Sequence, residues 1–183
     1  MPAYPFTFMN LRESLLEEHS RLQAEKITQW IGADPERITQ LISLFLQDEY
    51  RVVQRAARVV SNVAQAHPGM MLPHITLLVG KLQDTTAHIA VKRNIYRVMQ
   101  YLELPESIHA DLMNHCFGSL ANPREALAVR AFAMSILARL SMYYPEIAGE
   151  LRLLIEEALQ QQPAPSFRSR AAKVLRELRQ RHA

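Results

Sequence analysis

One cysteine and five glycines in 183 residues leave little of the two residue types that staple or loosen a chain. The lone thiol, Cys116, excludes an intrachain disulfide and leaves too few thiolates for a cysteine-built zinc site, so a reducing compartment, the cytoplasm, is expected. Gly32, Gly69, Gly80, Gly118 and Gly149 stand singly, which excludes a glycine-rich phosphate loop. No stretch approaches the roughly 20 apolar residues of a membrane span. Met1 to Asn10 lacks the basic start and apolar run of a secretory signal. Sustained period-two alternation of Val, Ile and Thr is missing too, so strands are not expected.

What is present favours helix. Leu, Ala, Val, Glu, Gln and Arg are abundant, and a 49% hydrophobic content is enough to bury a core. The formal net charge of +3 is unevenly placed. Residues 166–183 carry Arg168, Arg170, Lys173, Arg176, Arg179 and Arg181 against Glu177 alone, a net of +5 that leaves −2 for the other 165 residues. The basic pI near 9.2 therefore reflects one terminal helix more than a general affinity for nucleic acid.

Self-similarity at a fixed spacing is the strongest signal. Val53, Val91, Val129 and Phe167 each open a long helical segment, and each stands 38 positions after the last. Four, seven and eleven positions further on come Ala57, Val60 and Ala64; Ile95, Val98 and Leu102; Ala133, Ile136 and Leu140; and Ala171, Val174 and Leu178. That is one helical stripe used four times. The intervening segments repeat as Leu72, Ile75, Leu78, Val79 and Leu82, then Ala110, Met113, Cys116, Phe117 and Leu120, then Ala148, Leu151, Leu154, Ile155 and Ala158. Each unit is thus expected to be a helical hairpin. Pro35, Pro68, Pro105, Pro123 and Pro145 lie where helices should begin, with Asp34 and Asn122 as N-caps and Glu36 and Glu125 as first-turn acids. Residues 10–31 read as one or two helices out of this register, with Leu11, Leu15, Leu16, Leu22, Ile27, Trp30 and Ile31 available for burial.

The segments Val129-Arg130-x-x-Ala133 and Phe167-Arg168-x-x-Ala171, each leading into a leucine-rich half-helix, resemble the second helix of a HEAT repeat, a degenerate motif close to armadillo-like arrays. Gln54 and Lys92 stand where the first two units would usually carry arginine. The resemblance covers roughly residues 34–183 and implies an all-α fold, a right-handed α-α superhelix of about four HEAT-like hairpins with an N-terminal capping helix. One domain is expected, with 1–33 as the N-terminal cap, 34–165 as the hairpins and 166–183 as a basic C-terminal capping helix.

In such a stack the second helices line the concave face, so residues opposite the buried stripe are the site candidates. At about 100° per residue these are Arg55, Arg58 and Asn62; Arg93, Tyr96, Arg97 and Gln100; Ala131, Met134, Ser135 and Ala138; and Lys173 and Arg176. The two central helices contribute no carboxylate to the strip, which suits an acidic or phosphorylated partner met by bidentate arginine. The partner-binding set is Arg58, Asn62, Tyr96, Arg97, Gln100 and Met134. Arg55, Arg93, Lys173 and Arg176 read as either binding or structural, with Asp48, Glu49 and Asp84 placed to accept ion pairs from such arginines.

Catalytic signatures are scarce. The histidines, His19, His67, His74, His88, His109, His115 and His182, form no metal-binding spacing, and no metal or other cofactor is expected. Cys116 falls on an apolar stripe, as a buried structural thiol would. Glu17 with Glu18 and Glu156 with Glu157 are consecutive, so each pair diverges by about 100° on a helix and cannot work one bond. The expected function is a non-catalytic protein–protein interaction scaffold that holds a peptide or an acidic protein segment on its concave face. Nucleic-acid backbone binding through the same arginines and the last helix is the alternative. Resemblance to the HEAT-like alkylpurine DNA glycosylases gives the one enzyme reading, suggested by the pI and Tyr96. Against it stand a single tryptophan, Trp30, and the lack of an acid on the central strip. No membrane partner is expected, and the sequence leaves the oligomeric state open.

Overall fold

The computed structural model describes residues 9–161 and 164–181; most of the segment Met1 to Asn10, expected to lack a secretory signal, and His182 lie outside them. The described residues form ten α-helices and four short 3-10 segments, without a strand. They fall into two compact units divided between Glu103 and Leu104.

The first unit holds α1 (Leu11–Glu17), α2 (Arg21–Ile31), α3 (Pro35–Gln47), α4 (Tyr50–Ala66), α5 (Ile75–Gly80) and α6 (Ile89–Met99). Local sequence sets their ends. Ser20 Oγ accepts from the Gln23 N–H at 3.0 Å and starts α2. Gly32, at φ +53°, stops it in a left-handed conformation that only glycine adopts cheaply. Asp34 Oδ1 then accepts from the N–H groups of Glu36 and Arg37, and Pro35 opens α3, as expected from the sequence. At the centre, α4 packs against α1, α2, α3 and α6.

The segment preceding α6 departs from a plain hairpin. In place of one long first helix there is a 3-10 segment, Pro68–His74, the six-residue α5, and a second 3-10 segment, Lys81–Gln83. Pro73 inside the first of these has no N–H to donate and favours the tighter winding. Leu72, expected on the buried stripe, is 38% exposed as a result of this winding.

In the second unit, 3-10 segments at Glu106–Ile108 and Pro145–Ile147 lead into α7 (His109–Ala121) and α9 (Ala148–Gln160), and α8 (Leu127–Leu140) and α10 (Pro165–Arg181) are the second helices. Pro105 and Pro145 thus open a 3-10 turn ahead of the helix. Asn122 does not cap α8. Its Oδ1 accepts from the Arg124 N–H at 3.0 Å, holding a tight turn, and α8 starts only at Leu127 behind Ala126. Contacts link α8 to α7, α9 and α10.

Every residue of the fourfold stripe is buried, from Val53, Ala57, Val60 and Ala64 to Phe167, Ala171, Val174 and Leu178. On the first helices the register slips by a fraction of a turn, so Ala110 is exposed and Leu112 takes the buried place. Residues 10–31 form a real hairpin, α1 with α2. Ala24, Ile27 and Ile31 are buried and stand 33 positions before Ala57, Val60 and Ala64, five short of the 38-residue register. Leu22, expected in the core, is 76% exposed, and Gln23 is buried beside it, bonded to the Ser14 carbonyl at 2.8 Å.

Candidate protein-binding surface

Neither α4 nor α6 contains an acidic residue, yet their solvent-facing arcs carry Arg58, Arg93 and Arg97, all exposed. None of the three side chains makes a hydrogen bond or ion pair among the described residues, so three guanidinium forks in the first unit are available to an incoming acceptor. Half-buried Gln100 caps α6 and donates from Nε2 to the Arg97 carbonyl at 3.0 Å. Half-buried Asn62 donates from Nδ2 to Thr28 Oγ1 at 3.3 Å, tying α4 to α2 beside a groove of about 420 Å³ lined by Glu25, Thr28, Gln29, Asn62, Gln65 and Ala66. Arg55 is structural in its bonding: Nη1 donates to the Leu15 carbonyl at 2.9 Å.

Two residues leave the partner-binding set, and Ala131 and Ala138 of the wider strip are buried with them. Tyr96 and Met134 are each 0% exposed. The single-stripe picture undercounts burial because a second helix has more than one neighbour: α4 and α8 each touch at least three other helices, and α8 buries Arg130, Ala131, Met134, Leu137 and Ala138 as well as its stripe. Tyr96 belongs to the same broad arc on α6, together with Asn94 and Ile95. Its burial also removes the aromatic side chain that suggested a glycosylase.

The acids expected to engage Arg55 or Arg93 are engaged elsewhere. Asp48 takes a bidentate contact from Arg12 Nε and Nη2 at 2.8 and 3.0 Å, and Glu49 lies 3.2 Å from the same guanidinium. The Arg12 hydrogen bond holds the Asp48 carboxyl below its ordinary range. Asp84 is held low by Thr86 and by Lys81, whose ammonium lies 2.9 Å away. The sequence strip missed acids that α2 and its approach supply, because that hairpin lies outside the 38-residue register. Glu18 lines a small cleft with Arg55 and Arg58, and Glu25 lines the Asn62 groove.

In the second unit, Lys173 lies 3.9 Å from Glu177, whereas Arg176 is exposed and makes no side-chain bond among the described residues. Arg130, the motif arginine, is buried: Nε donates to the Leu120 carbonyl at 3.1 Å, Nη1 to Gln161 Oε1 at 3.3 Å, and the guanidinium lies 5.7 Å from the Phe167 ring centroid. Its counterpart Arg168 is exposed. Burial pushes the Cys116 thiol well up, away from the thiolate a nucleophile needs. Among the described residues, no group of three or more His, Cys, Asp or Glu side chains is placed to hold a metal ion, and no helix is long and apolar enough to cross a membrane.

The hairpins, the 38-residue register and the buried second-helix stripe define a helical-repeat protein. Residues 11–178 match the HEAT repeat domain model, and the chain belongs to the HEAT-repeat family. HEAT repeats generally mediate protein–protein interactions and are typically non-enzymatic. No curated protein and no solved structure gives a significant match to the chain.

Proposed function

We propose that this chain is a non-catalytic interaction module that binds an acidic protein segment across α4 and α6, through Arg58, Arg93 and Arg97, with Asn62 and Gln100 as polar neighbours. The observation that carries the reading is three exposed guanidinium groups on two acid-free helices in contact with each other. Arginine offers a planar fork of donors that matches a carboxylate or phosphate, and desolvating such a pair gives it more weight than a fully exposed one. Glu18 and Glu25 border the α4 end and would repel an acidic chain there, which favours the α6 end for the strongest contact. A cytoplasmic setting fits the single reduced thiol.

Fluorescence anisotropy with a labelled glutamate-rich dodecapeptide tests this, using a lysine-rich peptide and a single-stranded oligonucleotide as comparators. The acidic peptide should bind, and Arg93→Glu with Arg97→Glu should weaken it at least about tenfold, the size expected for losing close charge pairs. Unchanged binding by that variant would remove the surface. A preference for the oligonucleotide, with affinity falling steeply with salt, would replace the protein reading by backbone-directed nucleic-acid binding.

A further inference from the structure

The 38-residue register lets the α9–α10 hairpin be compared, position by position, with α7–α8. Arg130, Met134 and Ala138 on α8 and Ser141 at its C-cap are buried. The same positions on α10 are Arg168, Ala172, Arg176 and Arg179, and all four are exposed. On the other helix, Ile108, Leu112 and Ser119 are buried at the start of and along α7, whereas their counterparts Glu146, Glu150 and Glu157 are exposed. One face that is covered on the first hairpin is therefore open on the second, and it is charged in two rows.

Each row is a single helical stripe. Glu146, Glu150, Leu153 and Glu157 follow one another at spacings of four, three and four, and Arg168, Ala172, Arg176 and Arg179 at four, four and three. Both rows span 11 positions, about 16 Å at roughly 1.5 Å per residue. The first holds no base and the second no acid. Arg168, Arg176 and Arg179 make no side-chain bond among the described residues, while Glu177 lies 3.9 Å from Lys173 and 3.8 Å from Arg181 on the flank.

We infer that this open face of α9 and α10 docks a second copy of the chain, the acidic row of one copy lying over the basic row of its mate. Two parallel rows of opposite sign and equal length are self-complementary under a two-fold axis that lies in the interface and runs parallel to the rows, because the rotation brings α9 over the mate's α10 twice. Leu153, 62% exposed at the middle of the acidic row, meets Ala172 and the aliphatic stem of Arg176. The contact is polar, so the dimer is weak and sensitive to salt.

Sedimentation velocity on the full chain at about 50 µM tests the inference. The dimer should dominate in about 50 mM salt and dissociate in about 500 mM, where exposed charges are screened. Two charge-reversed variants, Arg168→Glu with Arg179→Glu and Glu146→Lys with Glu157→Lys, should each associate at least about tenfold more weakly on their own. Mixed in equal amounts they should form a heterodimer, since both overlaid rows then have opposite signs again. Circular dichroism checks that each variant is folded, and the salt response of the native chain tests the idea without any variant. A native chain that is monomeric in low salt, a dimer that survives either reversal, or folded variants that stay monomeric when mixed would each overturn the proposal.

Discussion

Arg55 on α4 donates from Nη1 to the backbone carbonyl of Leu15 on α1 at 2.9 Å, across 40 positions of sequence. Leu15 lies in the last turn of α1, where carbonyl groups have no partner within their own helix. Replacing Arg55 by Ala should therefore cost about 1.5–3 kcal/mol in urea denaturation, the range for a hydrogen bond that involves a charged group. Arg58→Ala, three positions on and exposed, should stay within about 0.5 kcal/mol. Equal stability of the Arg55 variant and the native chain would show the bond to be incidental.

Arg130 and Arg168 occupy the same repeat position and have opposite surroundings. Arg130→Met strands the Leu120 carbonyl and empties the space over Phe167, so a loss of about 2–3 kcal/mol is expected. In about 500 mM salt, where the dimer is dissociated, Arg168→Met should change thermal stability negligibly, because that side chain is exposed on the single chain. Similar effects of the two substitutions on the melting temperature would contradict the assignment of Arg130 as a structural bridge.

The Asp48–Arg12 contact predicts an acid-side loss of stability. With the folded carboxyl titrating below its unfolded value, the native state binds fewer protons than the unfolded one. The contribution is fully present above about pH 4, the ordinary aspartate value, and disappears as pH falls through the depressed folded value. Asp48→Asn should flatten the dependence of melting temperature on pH below about 4.5, and a slope identical to the native one would exclude Asp48 as its source.

Cys116 should be inert while the chain is folded. Its side chain is 0% exposed and burial disfavours the thiolate, so iodoacetamide at neutral pH should label it only in denaturant. Rapid labelling of the native protein would require frequent opening of α7.

The stripe residues were legible because burial repeats where the sequence repeats: Val53, Val91, Val129 and Phe167 face the core for the same geometric reason. Tyr96 and Met134 were misread because a 100° wheel shows one buried line, whereas neighbours on several sides bury a wide arc. The buried arc also differs from unit to unit, since the counterpart of Tyr96 38 positions earlier, Arg58, is exposed. The α1–α2 hairpin was missed as a repeat because its buried residues run five positions short of the others. Arg12 with Asp48 could not be foreseen, since the pairing depends on where that shortened hairpin comes to rest. Asn122 was read as a helix cap although an Asx side chain serves a tight turn equally well.

The broken segment between α4 and α6 has a consequence for how the first unit breathes. Its amides sit in two 3-10 segments and a six-residue helix, with Pro73 supplying no donor, so few stacked hydrogen bonds must open together. The long α4, gripped by four helices, has no such weak stretch. Deuterium should enter residues 68–83 through small local openings while α4 exchanges only with the unfolding of the whole unit. The acid-free arginine surface thus has α4, the most slowly exchanging helix expected in the unit, as one of its two supports, and anything that binds it meets a backbone already held in place.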